Sequence, residues 1–317
     1  MTAVHVSMDP FHLGTLFSLR RLLRSLDPNG PPTIATLRPV GPARGVALLP
    51  GSFNPPTAAH LLLAERARSE GLDRVMFLLS VRTVGKRAFG LIPEDRMLAL
   101  QAMGGDAFSV GACSHGLYAD QAEAASAAFD GAEICFLVGS DKVLQIFERR
   151  WYGDRDTALE RLFTRACLLV APRSDQSERL RAVLGAPENR RFADRVSILR
   201  LHPAVGDLSS TRVRGLLHAG ADPAGLVPSA VADLVAQTRA FGPPAYVGNE
   251  EVDAYQIRCK LFDLIWRTRG DGATDIDLHR LTTIALSPTP PGASLRTMLA
   301  NGSARDVDLA RAQAAGL

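Results

Sequence analysis

Thr57 and His60 stand three residues apart in Gly51-Ser52-Phe53-Asn54-Pro55-Pro56-Thr57-Ala58-Ala59-His60. Near a helix start that spacing can aim a hydroxyl and an imidazole at one phosphate. The apolar run 46–49 precedes the segment and Leu61-Leu62-Leu63-Ala64 follows it, so the pattern reads strand, Gly/Asn/Pro turn, helix. Helix starts expose unpaired N–H groups and carry partial positive charge, which suits an anion. A capping threonine beside an incidental histidine has the same spacing, so the segment needs partners before it counts as a site.

Three further segments offer themselves as partners. Lys86-Arg87 follows the apolar run 75–79, and two adjacent cations on a loop at a strand's carboxyl end could clamp a phosphate; a solvated basic surface pair is the alternative. The pair is no Walker motif, because the hydroxyl after the lysine and the upstream glycine are missing. Gly139-Ser140-Asp141 follows the run 134–138. There a glycine admits close backbone approach and Asp141 could hold a ribose hydroxyl, although Ser and Asp are also ordinary helix caps. Ser209-Ser210-Thr211 opens a helix expected over 211–218, with Arg214 one turn in. Hydroxyls, helix N–H groups and a guanidinium together make a polyphosphate cradle. A plain N-cap explains one of those hydroxyls and leaves the rest of the set unexplained.

The elements that must carry these residues alternate in type. Strands are expected at 46–49, 75–79, 108–112, 134–138, 167–171 and 196–201, all short and rich in Val, Ile, Leu and Phe. Helices are expected at 58–70, ending at Gly71, and at 94–103, following Pro93. Others are expected at 120–129, 142–149 and 157–163. Such alternation predicts an α/β fold, a Rossmann-like doubly wound and mostly parallel sheet with helices on both faces. Ligands of such sheets sit at the carboxyl ends of strands, where residues 51–60 fall. Residues 1–44 read as an N-terminal extension with one amphipathic helix over 13–26, and 45–242 as the main α/β domain. Residues 243–317 read as a C-terminal extension of uncertain order with one helix over 250–267.

At 317 residues, 46% hydrophobic and 22% charged, the chain has the composition of a globular protein. A net charge of +3 with 6% aromatic residues is too weak a footprint for nucleic acid. No apolar stretch approaches the roughly 18 residues of a membrane span and no signal-peptide core is evident, so the expected compartment is the cytoplasm, with no membrane partner. Cys113, Cys135 and Cys167 lie in or beside apolar strand-like runs and read as small core residues. With Cys259 they make no CxxC or Cys/His cluster, so neither a protein-held metal nor a disulfide framework is expected.

Gly-Ser-Phe-Asn-Pro-Pro-Thr-x-x-His at 51–60 and Leu-Ser-Ser-Thr-x-x-Arg at 208–214 together resemble the nucleotidyltransferase superfamily with an HxGH-type first motif. The chain is most similar to its nicotinamide/nicotinate mononucleotide adenylyltransferases. Lys86-Arg87, followed by Gly90-Leu91-Ile92-Pro93 and Arg96, and Gly139-Ser140-Asp141 in place of a Gly-Ala-Asp, add to the likeness, which covers about residues 44–240. The resemblance implies that Thr57 and His60 meet the ATP phosphates, with Gly51, Ser52 and Phe53 lining the ATP site. His60 would stabilise charge developing at the α-phosphate. Ser209, Ser210, Thr211 and Arg214 would hold the β- and γ-phosphates, and Gly139 and Asp141 would face adenosine or its ribose. Asn54, Lys86 and Arg87 would bind the mononucleotide, and Trp151 resembles the family's tryptophan that stacks on the pyridine ring; packing explains that residue equally well.

The implied reaction is attack by the mononucleotide's 5′-phosphate on the α-phosphorus of ATP, giving NAD or deamido-NAD and pyrophosphate. Because the nucleophile is already anionic, no general base is needed. Catalysis is then alignment and charge neutralisation by His60, Thr57, Lys86, Arg214 and the Mg²⁺ that ATP carries. The partners implied are ATP and a phosphorylated small-molecule acceptor, with self-association left open. The chain departs from the family pattern at Thr57, where many bacterial members have histidine, at Ala58-Ala59 before His60, and at Ser140. These departures leave room for another phosphorylated acceptor, or for a nucleotide-binding or ATP-hydrolysing regulatory homologue. Met8-Asp9-Pro10-Phe11-His12-Leu13-Gly14-Thr15 is a competing HxGH-like segment, but it lacks the preceding glycine and a solid strand.

Overall fold

In the computed structural model, which describes residues 7–81, 90–172, 176–199, 209–270, 276–288 and 290–301, the six expected apolar runs all become strands of one sheet. Including an unexpected first strand they are β1 (Ile34–Thr36), β2 (Gly45–Gly51), β3 (Arg74–Ser80), β4 (Ser109–Cys113), β5 (Glu133–Gly139), β6 (Ala166–Ala171) and β7 (Val196–Ile198). Their order across the sheet is β1-β4-β3-β2-β5-β6-β7. All pairings are parallel except β1 on β4, an antiparallel edge strand supplied by the N-terminal extension.

From β2 the chain winds through β3 and β4 to one side, then returns to place β5 on the other flank of β2 and continues through β6 and β7. The carboxyl ends of β2 and β5 therefore border the point where winding reverses, the usual ligand crevice of open α/β sheets. Residues along β2 alternate between two buried layers: Ala47 and Leu49 join one, Val46 and Leu48 the other. Burial on both faces explains why this strand reads as an unbroken apolar run.

One layer holds α4 (Tyr118–Ala128), α5 (Ser140–Ile146), α6 (Arg155–Arg165) and α7 (Ser177–Gly185). The other holds α2 (Ala58–Ser69), α3 (Pro93–Gly104), α8 (Ser210–His218) and α9 (Ser229–Thr238), together with α1 (Leu13–Arg24) and the C-terminal α10 (Ala254–Arg269), α11 (Leu278–Ala285) and α12 (Pro290–Asn301). A small hairpin, β8 (Ala245–Val247) with β9 (Glu250–Val252), leads into α10. Where one loosely placed helix was expected after residue 242, the structure thus has a hairpin and three helices whose Leu261, Phe262, Ile265, Leu281 and Leu295 belong to the main core.

The first turn of α3 anchors both extensions. Glu94 accepts from Arg20 Nε of α1 at 2.6 Å. Asp95 takes a two-pronged bond from Arg258 of α10 at 2.7 and 2.9 Å. Carboxylates in a first turn also favour the positive helix start. Arg20 reaches on to Asp263 at 2.6 Å and lies over the Phe262 ring, so α1 and α10 are joined to each other as well.

The cysteine expectation is corrected. Cys135 and Cys167 form a disulfide, because they stand opposite each other across the β5–β6 pairing. Register between strands created that neighbourhood, and no spacing rule along the chain could reveal it. Cys113 and Cys259 are free, the first buried. No helix among the described residues is long and apolar enough to cross a membrane.

Candidate active site

Residues 51–57 turn sharply at the carboxyl end of β2. A β-carbon on Gly51 would come within 2.8 Å of the Phe53 ring, so only glycine lets that ring fold back under the turn. Phe53 has φ +45° and is 1% exposed, and its ring meets His60 and Phe77 edge-on at 5.1 and 5.9 Å. A bulky residue in left-handed backbone costs about 1–3 kcal/mol and is held by its surroundings. Here the buried ring holds it, and residues 53–57 of the turn are buried with it.

Thr57 is the N-cap of α2 and is fully buried, and His60 is its third helical residue. The Thr57 N–H donates to His60 Nδ1 at 3.0 Å, and the Thr57 hydroxyl lies 2.8 Å from the same nitrogen. A backbone N–H can only donate, so Nδ1 is the acceptor and the ring proton sits on Nε2. Burial among apolar neighbours pushes the imidazole's pKa down to about 4. The ring itself remains half-buried rather than sealed. His60 is therefore a neutral N–H donor at neutral pH, oriented by the residue that caps its helix. The capping explanation and the phosphate explanation of Thr-x-x-His are thus compatible, because the cap is what aims the ring.

The 209–214 segment docks against this turn. Ser210 Oγ donates to the Pro55 carbonyl at 2.8 Å, and Arg214 Nη1 to the Asn54 carbonyl at 2.7 Å. Arg214 Nη2 also donates to Thr211 Oγ1 at 3.1 Å, and Ser209 Oγ caps α8 by accepting from the Arg212 N–H. Burial lowers the Arg214 pKa below its ordinary value. The two outermost motifs, more than a hundred residues apart in sequence, are in direct contact. The first N–H of α2, on Ala58, is taken by the Leu226 carbonyl at 2.9 Å.

Asn54 is 6% exposed, and its Oδ1 accepts from the Leu91 N–H at 2.9 Å. Close approach of the two segments requires Gly90, whose φ is +81° and whose β-carbon would fall 2.7 Å from Asn54 Oδ1 and 2.5 Å from the Phe241 ring. Arg96 Nε donates to the Leu91 carbonyl at 2.7 Å. Its pKa is lowered, first by burial and further by Arg214 nearby. Two guanidinium groups thus concentrate positive charge beneath the turn, an arrangement that favours an anionic ligand.

Gly139 ends β5 and caps α5, with Ser140 fully buried and Asp141 half-buried in the first turn. Since β5 pairs directly with β2, this segment shares the crevice edge with residues 51–57. Trp151 sits in its own cluster: Nε1 donates to Glu148 at 3.0 Å and Arg150 lies over its ring at 4.7 Å. None of the hydrogen bonds or ring contacts among the described residues joins it to the turn. Lys86 and Arg87 lie outside the described residues. His12 caps α1 by accepting from the Thr15 N–H, and α1 leads to the antiparallel edge strand β1 rather than to the crevice. The one His/Cys/Asp/Glu group with metal-ligand proximity among the described residues is Glu133 with Cys135 and Cys167. It lies at the opposite, amino end of β5, and its sulfurs are bonded to each other.

The sequence offered no role for Arg96, for Leu226, or for Tyr255, whose hydroxyl accepts from the Ile92 N–H at 2.8 Å beside the Leu91–Asn54 contact. Arg96 carried a signal in its spacing after Gly90-Leu91. The other two are brought in by tertiary folding from positions far along the chain.

Residues 48–216 match the cytidylyltransferase-like family, and this stretch runs from β2 through α8, taking in both docked motifs. The chain belongs to this family. As a member of the cytidylyltransferase-like family it is a nucleotidyltransferase. It is 31% identical over 215 residues to the probable nicotinate-nucleotide adenylyltransferase of Geobacter sulfurreducens, covering 61% of this chain and 96% of that one. The probable nicotinate-nucleotide adenylyltransferase of Pelobacter propionicus is 28% identical over 223 residues, covering 62% and 97%. Among solved structures, Plasmodium falciparum nicotinic acid mononucleotide adenylyltransferase complexed with APC aligns with 62% of this chain and 97% of its own. That alignment has a TM-score of 0.45 and 12% identity. Residues 1–47 and 217–317 lie outside the family match.

Proposed function

We propose that this nucleotidyltransferase transfers AMP from ATP to a pyridine mononucleotide, nicotinamide or nicotinate mononucleotide, releasing pyrophosphate. The observation that carries the proposal is the docking of Ser210 on Pro55 and Arg214 on Asn54 at the crevice between β2 and β5. That docking sets a hydroxyl cluster and the Arg214 guanidinium beside the turn that leads into α2, which supports reading them as one polyphosphate cradle. The names of the relatives support the choice of acceptor.

In this account His60 donates from Nε2 to oxygen on the α-phosphate as charge develops there, held in place by Thr57. Ser209, Ser210 and Thr211, at the start of α8, hold the β- and γ-phosphates by hydrogen bonds, and Arg214 supplies the neutralising charge. The main chain of Gly51, Ser52 and Phe53 approaches the triphosphate, and Asp141, behind Gly139, takes the ribose. Asn54, Lys86, Arg87 and Trp151 serve the mononucleotide. Mg²⁺ enters with ATP as part of the substrate. A phosphate nucleophile needs no deprotonation, so alignment and charge stabilisation supply the rate. We assign this chemistry to residues 45–242, working in the cytoplasm.

Incubation with ATP, Mg²⁺ and a panel of phosphorylated acceptors tests the proposal. Pyrophosphate release dependent on either pyridine mononucleotide is expected. Release only with phosphopantetheine or another phosphorylated acceptor would move the substrate class, and ATP binding without acceptor-dependent release would make the protein a nucleotide-binding homologue.

A further inference from the structure

The acceptor residue Asn54 is not held by the catalytic domain alone. Its Oδ1 is committed to the Leu91 N–H at 2.9 Å, and Leu91 belongs to the short segment Gly90-Leu91-Ile92 that enters α3. The next N–H along, on Ile92, donates to the Tyr255 hydroxyl of α10 at 2.8 Å. That hydroxyl in turn donates to Asp95 Oδ2 at 2.6 Å. Asp95 is locked by the two-pronged bond from Arg258, which also donates to the Pro10 carbonyl of the N-terminal extension. Tyr255, Asp95 and Arg258 are all buried, the last two completely. Leu91, Ala240 and Tyr255 form a small apolar cluster of their own, with Phe241 packed against it. A phenol that accepts from one backbone N–H and donates to a fixed carboxylate can occupy only one position, so it fixes the peptide it holds.

We infer that Tyr255 is a positioning residue for the acceptor: through the Ile92 and Leu91 N–H groups it sets the place of the Asn54 side chain. The C-terminal extension thereby tunes affinity for the phosphorylated acceptor while leaving the ATP cradle of Ser210 and Arg214 to its own bonds. The inference rests on the assignment of Asn54 to the acceptor under Proposed function. A role in stability alone would follow from the apolar contacts of α10 and from the Arg258–Asp95 pair. Neither of those needs the Tyr255 hydroxyl to face the Ile92 N–H.

Tyr255→Phe removes one oxygen and keeps the ring, the Arg258–Asp95 pair and the packing. Arg20→Gln is the comparison, because Arg20 fastens α1 and α10 to Glu94 and none of its described contacts reaches residues 90–92. Steady-state kinetics with ATP and nicotinate mononucleotide, and amide hydrogen exchange at Leu91 and Ile92 without substrates, are measured on all three proteins. Tyr255→Phe should raise the acceptor KM about five- to tenfold, the scale of one lost hydrogen bond. It should leave the ATP KM and kcat within about twofold and speed exchange at Leu91 and Ile92. Arg20→Gln should lower the melting temperature without moving the acceptor KM. An unchanged acceptor KM in Tyr255→Phe, or equal rises in both variants, overturns the inference. If the wild-type protein adenylylates neither pyridine mononucleotide, that failure belongs to the proposed function. The exchange comparison then decides alone, and unchanged exchange at Leu91 and Ile92 overturns the positioning role.

Discussion

His60 is the residue on which chemistry and stability meet. Its ring is desolvated by burial, which puts its pKa near 4 against an ordinary value of about 6.5. As pH falls from about 6.5 toward 4, the unfolded chain takes up a proton that the folded protein refuses, so stability must drop across that window. The drop should reach roughly 3 kcal/mol and stop growing below pH about 4. Urea midpoints measured for wild type and His60→Gln at neutral pH and at pH about 4.5 check this, with the variant expected to lose most of the slope. The same residue should matter to turnover: His60→Ala should lower kcat by about 10²-fold or more, the scale of one preorganised donor. Single-turnover rates on protein of native melting behaviour measure it. Much of the site was legible at this scale, because Thr57, His60, Ser210 and Arg214 announce themselves by residue type and by position at helix starts. What could not be read was which groups bond to one another. That Arg214 grips the Asn54 carbonyl, or that Tyr255 reaches Ile92, depends on folding distance and leaves no local trace.

Among the elements, the strands were the most legible, since burial on both faces of a parallel sheet demands continuous apolar runs. Each of the six expected runs appears within a few residues of its place. Strand β1 escaped because Ile34-Ala35-Thr36 is short and half-buried at an edge, with no alternation to mark it. Pairing between elements was equally hidden. Cys135 and Cys167, 32 residues apart, become neighbours only through β5–β6 register. Closing a loop of that length removes enough unfolded-state freedom to contribute about 3–4 kcal/mol. A reduced protein, or Cys135→Ala with Cys167→Ala, should therefore lose about that much unfolding free energy in a denaturant titration. Helix α3 gives the other prediction at this scale. Replacing Arg258 with Met strands the buried Asp95 carboxylate, and losing one partner of such a pair costs about 3–5 kcal/mol. Calorimetric or denaturant unfolding of Arg258→Met should show a loss of that size.

Over the whole molecule, a nucleotidyltransferase sheet is clasped by two extensions that meet at the first turn of α3. Arg20 from the N-terminal side holds Glu94, Arg258 from the C-terminal side holds Asp95, and both are joined through Asp263 and Pro10. That turn lies three residues past Gly90, which packs on Asn54, so the clasp closes behind Asn54, on the side of the crevice proposed for the acceptor. The loosened apolar pattern of residues 243–317 hid this architecture, because α10–α12 gain their order from the core they cover. In the proposed function, residues 51–60 and 209–214 act as one clamp that delivers the α-phosphorus of ATP to a pyridine mononucleotide. The most direct test is to follow ATP labelled at the α- or at the γ-phosphorus during incubation with Mg²⁺ and nicotinate mononucleotide. The account predicts that the α-label enters the dinucleotide product while the γ-label leaves in pyrophosphate. Appearance of the γ-label in inorganic phosphate, with no α-label joined to the mononucleotide, would contradict it.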